Sequence, residues 1–457
     1  MKMKKQIISM VLSIVSITIS LSAQKTNIPD SNRYKSSTFI HDWNAKITDI
    51  IMEDGFSPAV ISKHYAYANI AAYTAAQPGF AKKYRPLTGQ IKGFVQPPLP
   101  DMSLEYDWRL CAISAYKTIV KKVLYRSKYS DSMYKAQVDA IETEYDQIEH
   151  GEDIIERSIQ HGEKVATYVI AWFKEDGYTK NQGRPRYNFP KGKGKWEPTP
   201  PEFADPLDPW FKTMRTLVLD SVTQIRPLPP VTYDETPNSP FYDQVMQVYI
   251  TSKNLTPEQK EIAGFWDCNP IKAWHQGHFV FNTRQISPGG HWMALAKVGC
   301  DKINADMMQA IEAYTLVGTT LFDAFTACWN EKYTSHYIRP VTFINRFIDS
   351  TWEPYLQTPP FPEHTSGHST ISSASAEILT RLFGEFSYAD STEVRFGLPV
   401  RTFPNFHAAA WEASISRIYG GIHFRRACDE GNRIGKEIGG FVWDRLNLRK
   451  PREEQQD

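Results

Sequence analysis

Between Ala305 and Cys328 apolar side chains recur every three or four residues, at Met307, Ala310, Ile311, Tyr314, Val317, Leu321, Phe322 and Phe325. That period places them on one stripe of an α-helix, which must bury itself against a partner. The same spacing returns in Trp43 to Ile51, in Ala59 to Ala76, in Leu104 to Tyr125 and in Ile154 to Phe173. It resumes after Pro257 and fits Ser369 to Phe383, Ala408 to Tyr419 and Asp429 to Leu446. Few windows alternate with period two, so no large sheet is expected. No repeat of fixed period is present. The sequence therefore predicts an all-α fold, a large helical bundle.

Residues 178–242 break the pattern. They hold 12 of the chain's 30 prolines, among them Pro198, Pro200, Pro201, Pro227, Pro229 and Pro230. A stretch of that length without periodicity reads as a long loop or as a linker. It also carries Trp196, Phe203, Trp210 and Phe211, which linkers usually lack. The better reading is a loop packed over the helical core and contributing to a pocket rim. Residues 24–457 are then expected to form a single domain, with the chemistry in a bundle at 265–446.

Ahead of that domain, Lys2, Lys4 and Lys5 precede a mostly apolar run of 15 residues from Ile7 to Leu21, and Leu21-Ser22-Ala23 offers a cleavage point before Gln24. This is the pattern of a signal peptide over residues 1–23, and the run is short of the ~20 residues that a membrane span needs. Export to the periplasm or the medium is expected, with no membrane span after cleavage. The formal net charge of the 457 residues is only +1, which gives no bulk attraction for nucleic acid or anionic lipid. Any function that needs positive charge must come from a local cluster. The five cysteines, Cys111, Cys268, Cys300, Cys328 and Cys428, are widely spaced and form no CxxC, so a thiolate-built structural zinc site is not expected and no disulfide pairing can be read.

Such a cluster lies in the last third of the chain. Lys332 and Arg339 stand seven residues apart, close to two helical turns, with Pro340 following. The spacing predicts a shared helix face, with Pro340 ending that helix near Arg339. Two cations on one face repel unless an anion sits between them. Arginine offers a planar fork for oxyanion oxygens and lysine a compact charge. Thr365-Ser366-Gly367-His368 then precedes a helical pattern. Ser366 or Ser369 suits the N-cap, and Gly367 lets the backbone approach a ligand closely. Free N–H groups at that helix start would point at the anion, and His368 would stand at the rim as an acid–base group. The third element is Ser416-Arg417, then Gly420-Gly421, then His423, with Arg417 in the last turn of a helix that the glycines stop. Taken alone, each element reads more readily as a solvated cationic face, a capped helix or a structural histidine.

The order Lys-x6-Arg-Pro, Ser-Gly-His and Ser-Arg-x5-His resembles the signature shared by vanadium-dependent haloperoxidases and type 2 phosphatidic acid phosphatases. The long helical chain, the leader and Pro359-Pro360-Phe361-Pro362 are most similar to the bacterial haloperoxidase branch. The resemblance implies vanadate, one per chain, as cofactor, with hydrogen peroxide and a halide as substrates and an organic molecule as a further halogen acceptor. Iodide or bromide is the expected halide. It implies that His423 bonds vanadium directly. Lys332, Arg339 and Arg417 would neutralise the equatorial oxygens, Ser366 and the Gly367 N–H would add hydrogen bonds, and His368 would be the acid–base residue. The sequence departs from the family pattern at Thr365, where proline is usual, and at Ala427, where many members carry aspartate as the partner of the final histidine. Asp429 or another acid would have to take that part.

Other readings compete. A soluble acid phosphatase could use the same pocket, with a phospho-His423 intermediate and His368 as proton donor. A protein that only sequesters an oxyanion would need the cations but not His368. A divalent-metal enzyme could draw on His275 with His278, on His364 with His368 at helical i, i+4 spacing, and on His407.

Overall fold

The computed structural model describes residues 33–146, 148–269, 272–276 and 278–451, and for 272–276 and 279–283 only the backbone. The leader read at residues 1–23 lies outside the described residues.

Helices carry the architecture. The first group is α1 (Thr38–Asp54), α2 (Pro58–Ala76), α3 (Trp108–Val123), α4 (Asp131–Tyr145), α5 (Gly151–Phe173) and the short α6 (Tyr178–Gln182). The second is α7 (Pro240–Lys253), α8 (Pro257–Phe265), α9 (Pro288–Lys302), α10 (Met307–Ser335), α11 (Pro340–Phe347), α12 (Gly367–Phe383), α13 (Phe406–Tyr419) and α14 (Arg425–Arg445). Among the described residues the only sheets are two small antiparallel hairpins. One pairs β1 (Lys272–Gln276) with β2 (Phe279–Thr283), the other β3 (Tyr388–Asp390) with β4 (Arg401–Phe403). The fold is all-α, as the periodicity predicts. No helix among the described residues is long and apolar enough to cross a membrane.

Many helices begin with one local device. Ser57-Pro58, Ser239-Pro240, Thr256-Pro257 and Ser287-Pro288 each place a hydroxyl at the N-cap and a proline in the first turn. The hydroxyl accepts an otherwise orphaned N–H, and proline lacks the N–H that would be unsatisfied there. Asp306 caps α10 in the same way, and the Gln309 side chain returns a bond to the Asp306 N–H.

Two helices are buried almost all round, α2 and α10, and they cross closely at Gly318, where an added Cβ would lie 3.2 Å from the backbone of Ala66. On its other side α10 packs against α12, so it joins the layer of α2, α3 and α5 to the layer of α12, α13 and α14. α14 lies on α12 through Gly431, Gly435 and Gly439. A Cβ on Gly435 would stand 2.1 Å from the Thr370 carbonyl oxygen, so only glycine permits that approach. All five thiols are buried and unpaired.

The proline-rich stretch is shorter than its composition suggests. α6 occupies its start and α7 begins at Pro240, which leaves a strap at 183–239 with a single 3-10 turn at Phe211–Thr213. The strap is pinned in three places. The Trp196 N–H bonds the His336 carbonyl at 2.7 Å, and its ring is buried. The Leu207 N–H bonds the Pro360 carbonyl at 2.9 Å. The N–H groups of Leu217, Val218 and Leu219 all donate to the buried carboxylate of Asp323 on α10, at 2.6, 2.8 and 2.8 Å. Burial pushes the Asp323 carboxyl up to about 6, while those three N–H groups favour its charged form.

Candidate active site

A cavity of about 290 Å³ opens between the strap and the C-terminal helices. Thr199, Pro200, Pro201 and Leu207 of the strap form one wall, with Phe325, Trp329 and Phe361 facing them, and Gly367, His368, Arg417 and His423 at the base. Most of its lining is apolar or aromatic, so water is poorly held there and charges at the base act over a low effective dielectric.

Four helix ends bring the site residues together. α10 contributes Trp329 and Lys332 from its last turns and stops at Ser335, with His336 in the left-handed conformation. Arg339 follows in an extended segment as the N-cap residue of α11. Lys332 and Arg339 therefore do not share a helix face, and Pro340 starts a helix instead of ending one. The fixed φ of proline suits a first helical turn, which is why the chain breaks ahead of it. The two cations still meet: Lys332 Nζ and Arg339 Cζ lie 5.0 and 5.1 Å from the centroid of the Phe361 ring.

Ser366 caps α12, accepting the Ser369 N–H at 3.3 Å and the Ser369 hydroxyl at 2.8 Å. Gly367 opens the helix beside the cavity, and a Cβ there would meet only Trp329, at 3.8 Å. Arg417 closes α13. Its Nε donates to Ser416 Oγ at 2.9 Å and its Nη2 to the Trp266 carbonyl. Gly421, at φ 75°, turns the chain so that His423 comes back toward Arg339.

Lys332 Nζ donates to the carbonyls of Pro362 and Glu363 at 2.9 and 3.0 Å. Arg339 donates from Nε to the Phe361 carbonyl at 2.9 Å and from Nη1 to the Ile422 carbonyl at 2.8 Å. Its Nη2 is buried and has no partner. Arg339 Nη1 also lies 3.2 Å from His423 Nε2. A guanidinium can only donate, so Nε2 presents its lone pair and the proton sits on Nδ1. That Nδ1 lies 2.8 Å from Glu363 Oε1, which also accepts the Phe424 N–H at 2.9 Å.

Glu363 is thus the acidic partner that the sequence left open. Residue 427 contributes its backbone, with the Ala427 carbonyl accepting the Ser366 N–H at 3.0 Å. Asp429, the fifth residue of α14, is exposed and is not the partner. Glu363 is 60 residues from His423 in sequence, and only its place between Pro362 and His364, just ahead of the Ser-Gly-His element, hinted at it. Trp329, three residues before Lys332 on the same face of α10, and Phe325 are pocket residues that spacing from Lys332 could have found.

The electrostatics are those of a buried cationic site. Burial, reinforced by the neighbouring Arg339 charge, lowers Lys332 to about 7, and burial lowers Arg339 to about 10. Arg417 is lowered for the same reason. Burial and the surrounding cations hold His423 well below its ordinary value, and burial with Arg417 does so for His368. Both rings are therefore neutral near pH 7. His368 is half-buried, not a rim residue, and its Nε2 has no partner. Burial raises Glu363 to about 7, against the pull of Arg339, the Phe424 N–H and Lys332. Lys332, Arg339 and Arg417 against Glu363 and the buried Asp267 beside Arg417 leave positive charge in excess, and the orphaned Arg339 Nη2 is an N–H donor without an acceptor. A multiply charged oxyanion supplies both what the charge and what the donor lack.

His364 and His368 do not assemble into a divalent-metal pair. His364 precedes α12, and its Nε2 lies 3.0 Å from the Leu228 carbonyl, so it shares no helix face with His368. His407 lies 3.5 Å from Glu377. His278 is exposed, and the His275 side chain lies outside what is described.

Residues 312–449 match the family model of the second helical-bundle domain of vanadium chloroperoxidase. No curated protein matches the chain. Among solved structures, a bacterial vanadium-dependent iodoperoxidase is 36% identical, covering 91% of this chain and 98% of its own, with a TM-score of 0.84. A bacterial vanadium-dependent chloroperoxidase shares the fold at 16% identity. Its apo form covers 86% of this chain and 94% of its own, with a TM-score of 0.63, and its holo form 88% and 96%, with 0.62.

Proposed function

This chain belongs to the vanadium-dependent haloperoxidases, and on that premise we propose that it uses vanadate and hydrogen peroxide to oxidise iodide, and bromide less readily, to the hypohalous acid. The observation that carries the proposal is the buried Arg339 guanidinium, whose Nη2 has no partner, beside His423 Nε2, whose lone pair faces Arg339 Nη1. Iodide is supported by the 36% identical relative, itself an iodoperoxidase, and by the aromatic wall of Trp329, Phe325 and Phe361, which suits a large polarisable anion.

Lys332, Arg339 and Arg417 would hold the vanadate oxygens, Ser366 and the Gly367 N–H would add donors, and His423 Nε2 would ligate the metal. Bound vanadate supplies a Lewis-acidic centre that activates hydrogen peroxide toward a halide without a change of metal oxidation state. Glu363 holds the Nδ1 proton of His423, fixing the tautomer and raising the basicity of Nε2. His368, neutral at the cavity base with Nε2 unpartnered, accepts a proton from peroxide as it binds and returns it to the departing water. The apolar walls limit bulk water at the site, which strengthens the electrostatic interactions made there.

We also propose export, supported by the leader at residues 1–23. Mass spectrometry of the protein secreted from a native-type host is expected to show Gln24 as the first residue.

The decisive assay takes the protein without residues 1–23, strips it of bound anion and titrates it with orthovanadate. Iodide oxidation by peroxide is followed beside hydrolysis of a generic phosphate ester. Halide turnover that requires vanadate and vanishes in His423→Ala is the expected result. Ester hydrolysis inhibited by vanadate, with no halide oxidation, would replace the proposal with a phosphatase.

A further inference from the structure

Behind the cavity, three segments remote in sequence bring together Cys268, His291 and Glu393, all buried. Cys268 follows α8, His291 lies in the first turn of α9, and Glu393 follows β3. Their ligand atoms form a small triangle. Cys268 Sγ is 3.7 Å from His291 Nδ1 and 3.7 Å from Glu393 Oε1, and Nδ1 is 3.0 Å from Oε1. None of the three belongs to the oxyanion set, although Cys268 also lines the cavity.

We infer that Cys268, His291 and Glu393 form a binding site for one divalent transition metal of the zinc class. With zinc at about 2.3 Å from sulfur and about 2.0–2.1 Å from nitrogen and oxygen, tetrahedral ligand atoms stand roughly 3.3–3.6 Å apart. The observed triangle is within a few tenths of an ångström of that, so a metal needs little rearrangement. A thiolate, an imidazole and a carboxylate together favour zinc over magnesium or calcium, which prefer oxygen alone.

A second feature points the same way. The other ring nitrogen of His291, Nε2, lies 2.7 Å from Asp390 Oδ2, and Asp390 is fully buried. A carboxylate on the far nitrogen is the usual way that a metal-bound histidine is oriented, because it holds the proton there and frees Nδ1 as a ligand. Thr392 in turn donates to Asp390 Oδ1 at 2.6 Å and fixes that carboxylate. The Trp266 ring stacks on His291, with centroids 4.5 Å apart, and the Trp266 carbonyl accepts from Arg417. A filled site would therefore stiffen the wall that seats one of the oxyanion cations. The fourth coordination position would fall to solvent from the cavity that Cys268 lines, because the Thr392 hydroxyl lies on the Nε2 side, 3.0 Å from that nitrogen, and is committed to Asp390. Binding requires the thiol to lose its proton and Nδ1 to be unprotonated, so metal uptake releases protons and weakens in acid.

The alternative is a metal-free ion cluster, with a doubly protonated His291 between Glu393 and Asp390. The test uses the whole leaderless chain, loaded with orthovanadate and with zinc or cobalt(II), desalted, and measured for zinc, cobalt and vanadium separately. One zinc per chain is expected, lost in Cys268→Ser and in Glu393→Gln but kept in His423→Ala, which loses vanadium instead. Cobalt in the wild-type chain is expected to give thiolate-to-metal absorption in the near ultraviolet and tetrahedral bands in the visible. This wild-type spectrum decides the matter even if a variant fails to fold. Zinc at background, or metal retained without the cobalt–thiolate band, overturns the inference and leaves the ion cluster. Neither result touches the halide assay, so the two proposals fail separately.

Discussion

Glu363 illustrates how much one carboxylate governs at the residue scale. It binds the His423 Nδ1 proton and the Phe424 N–H with the same oxygen, and so sets both the tautomer and the turn that presents Nε2. Glu363→Gln retains the shape but lets the amide present either an acceptor or a donor to Nδ1. Vanadate affinity is expected to fall roughly 10- to 100-fold, as for other partners of metal-bound histidines, measured by equilibrium dialysis. His368→Ala should behave differently. The ring shares the Trp266 carbonyl with Arg417 but bonds neither Lys332 nor Arg339, so most vanadate binding should persist while kcat for iodide oxidation drops by about 10²–10⁴. Lys332 gives a pH signature. Its amine titrates near 7 in the anion-free site, and only the protonated form attracts an oxyanion. Affinity for phosphate, a simple test anion, is thus expected to be greatest below pH 7 and to decline as pH rises through it. In Lys332→Met this step should flatten. By reciprocity, anion binding raises the Lys332 pKa.

At the scale of elements, two contacts decide whether the site keeps its shape. Asp323 on α10 holds three consecutive N–H groups of the strap. Asp323→Ala leaves them buried and unpaired, at about 1–3 kcal/mol each. A loss of at least ~3 kcal/mol is therefore expected, read as a lower urea midpoint, with proteolysis directed into 183–239. The other contact is the glycine face of α14 against α12. Gly435→Ala would drive a methyl into the Thr370 carbonyl, and α12 must shift to relieve it. Overpacking of this kind costs about 1–3 kcal/mol. Because α12 begins with Ser366 and Gly367, weakened vanadate binding should accompany the lost stability. The sequence located these helices by period but not their ends. α12 starts at Gly367 rather than Ser369, and α10 stops at Ser335 rather than running to Arg339. Period describes a helix interior, whereas its ends are set by caps and by what the next segment must reach.

For the whole molecule, the charge that matters is local: the chain is nearly neutral, yet three cations are buried in one place. Holding them there without an anion is costly, so ligand binding and stability are linked. Vanadate at ~100 times its Kd should stabilise the fold by ~2.7 kcal/mol, seen as a rise in Tm that is absent in His423→Ala. The sequence by itself determined the helical class, from the 3.6-residue period, and pointed to the cationic and histidine residues that the fold then brings together, because their types and order carry the chemistry. It could not supply Glu363 as the partner of His423, the strap's anchorage on Asp323 or the cluster of Cys268, His291 and Glu393. Each of these joins groups tens to more than a hundred residues apart. Such pairings are fixed by how the helices and the segments between them pack, and packing of side chains in three dimensions leaves no period along the chain.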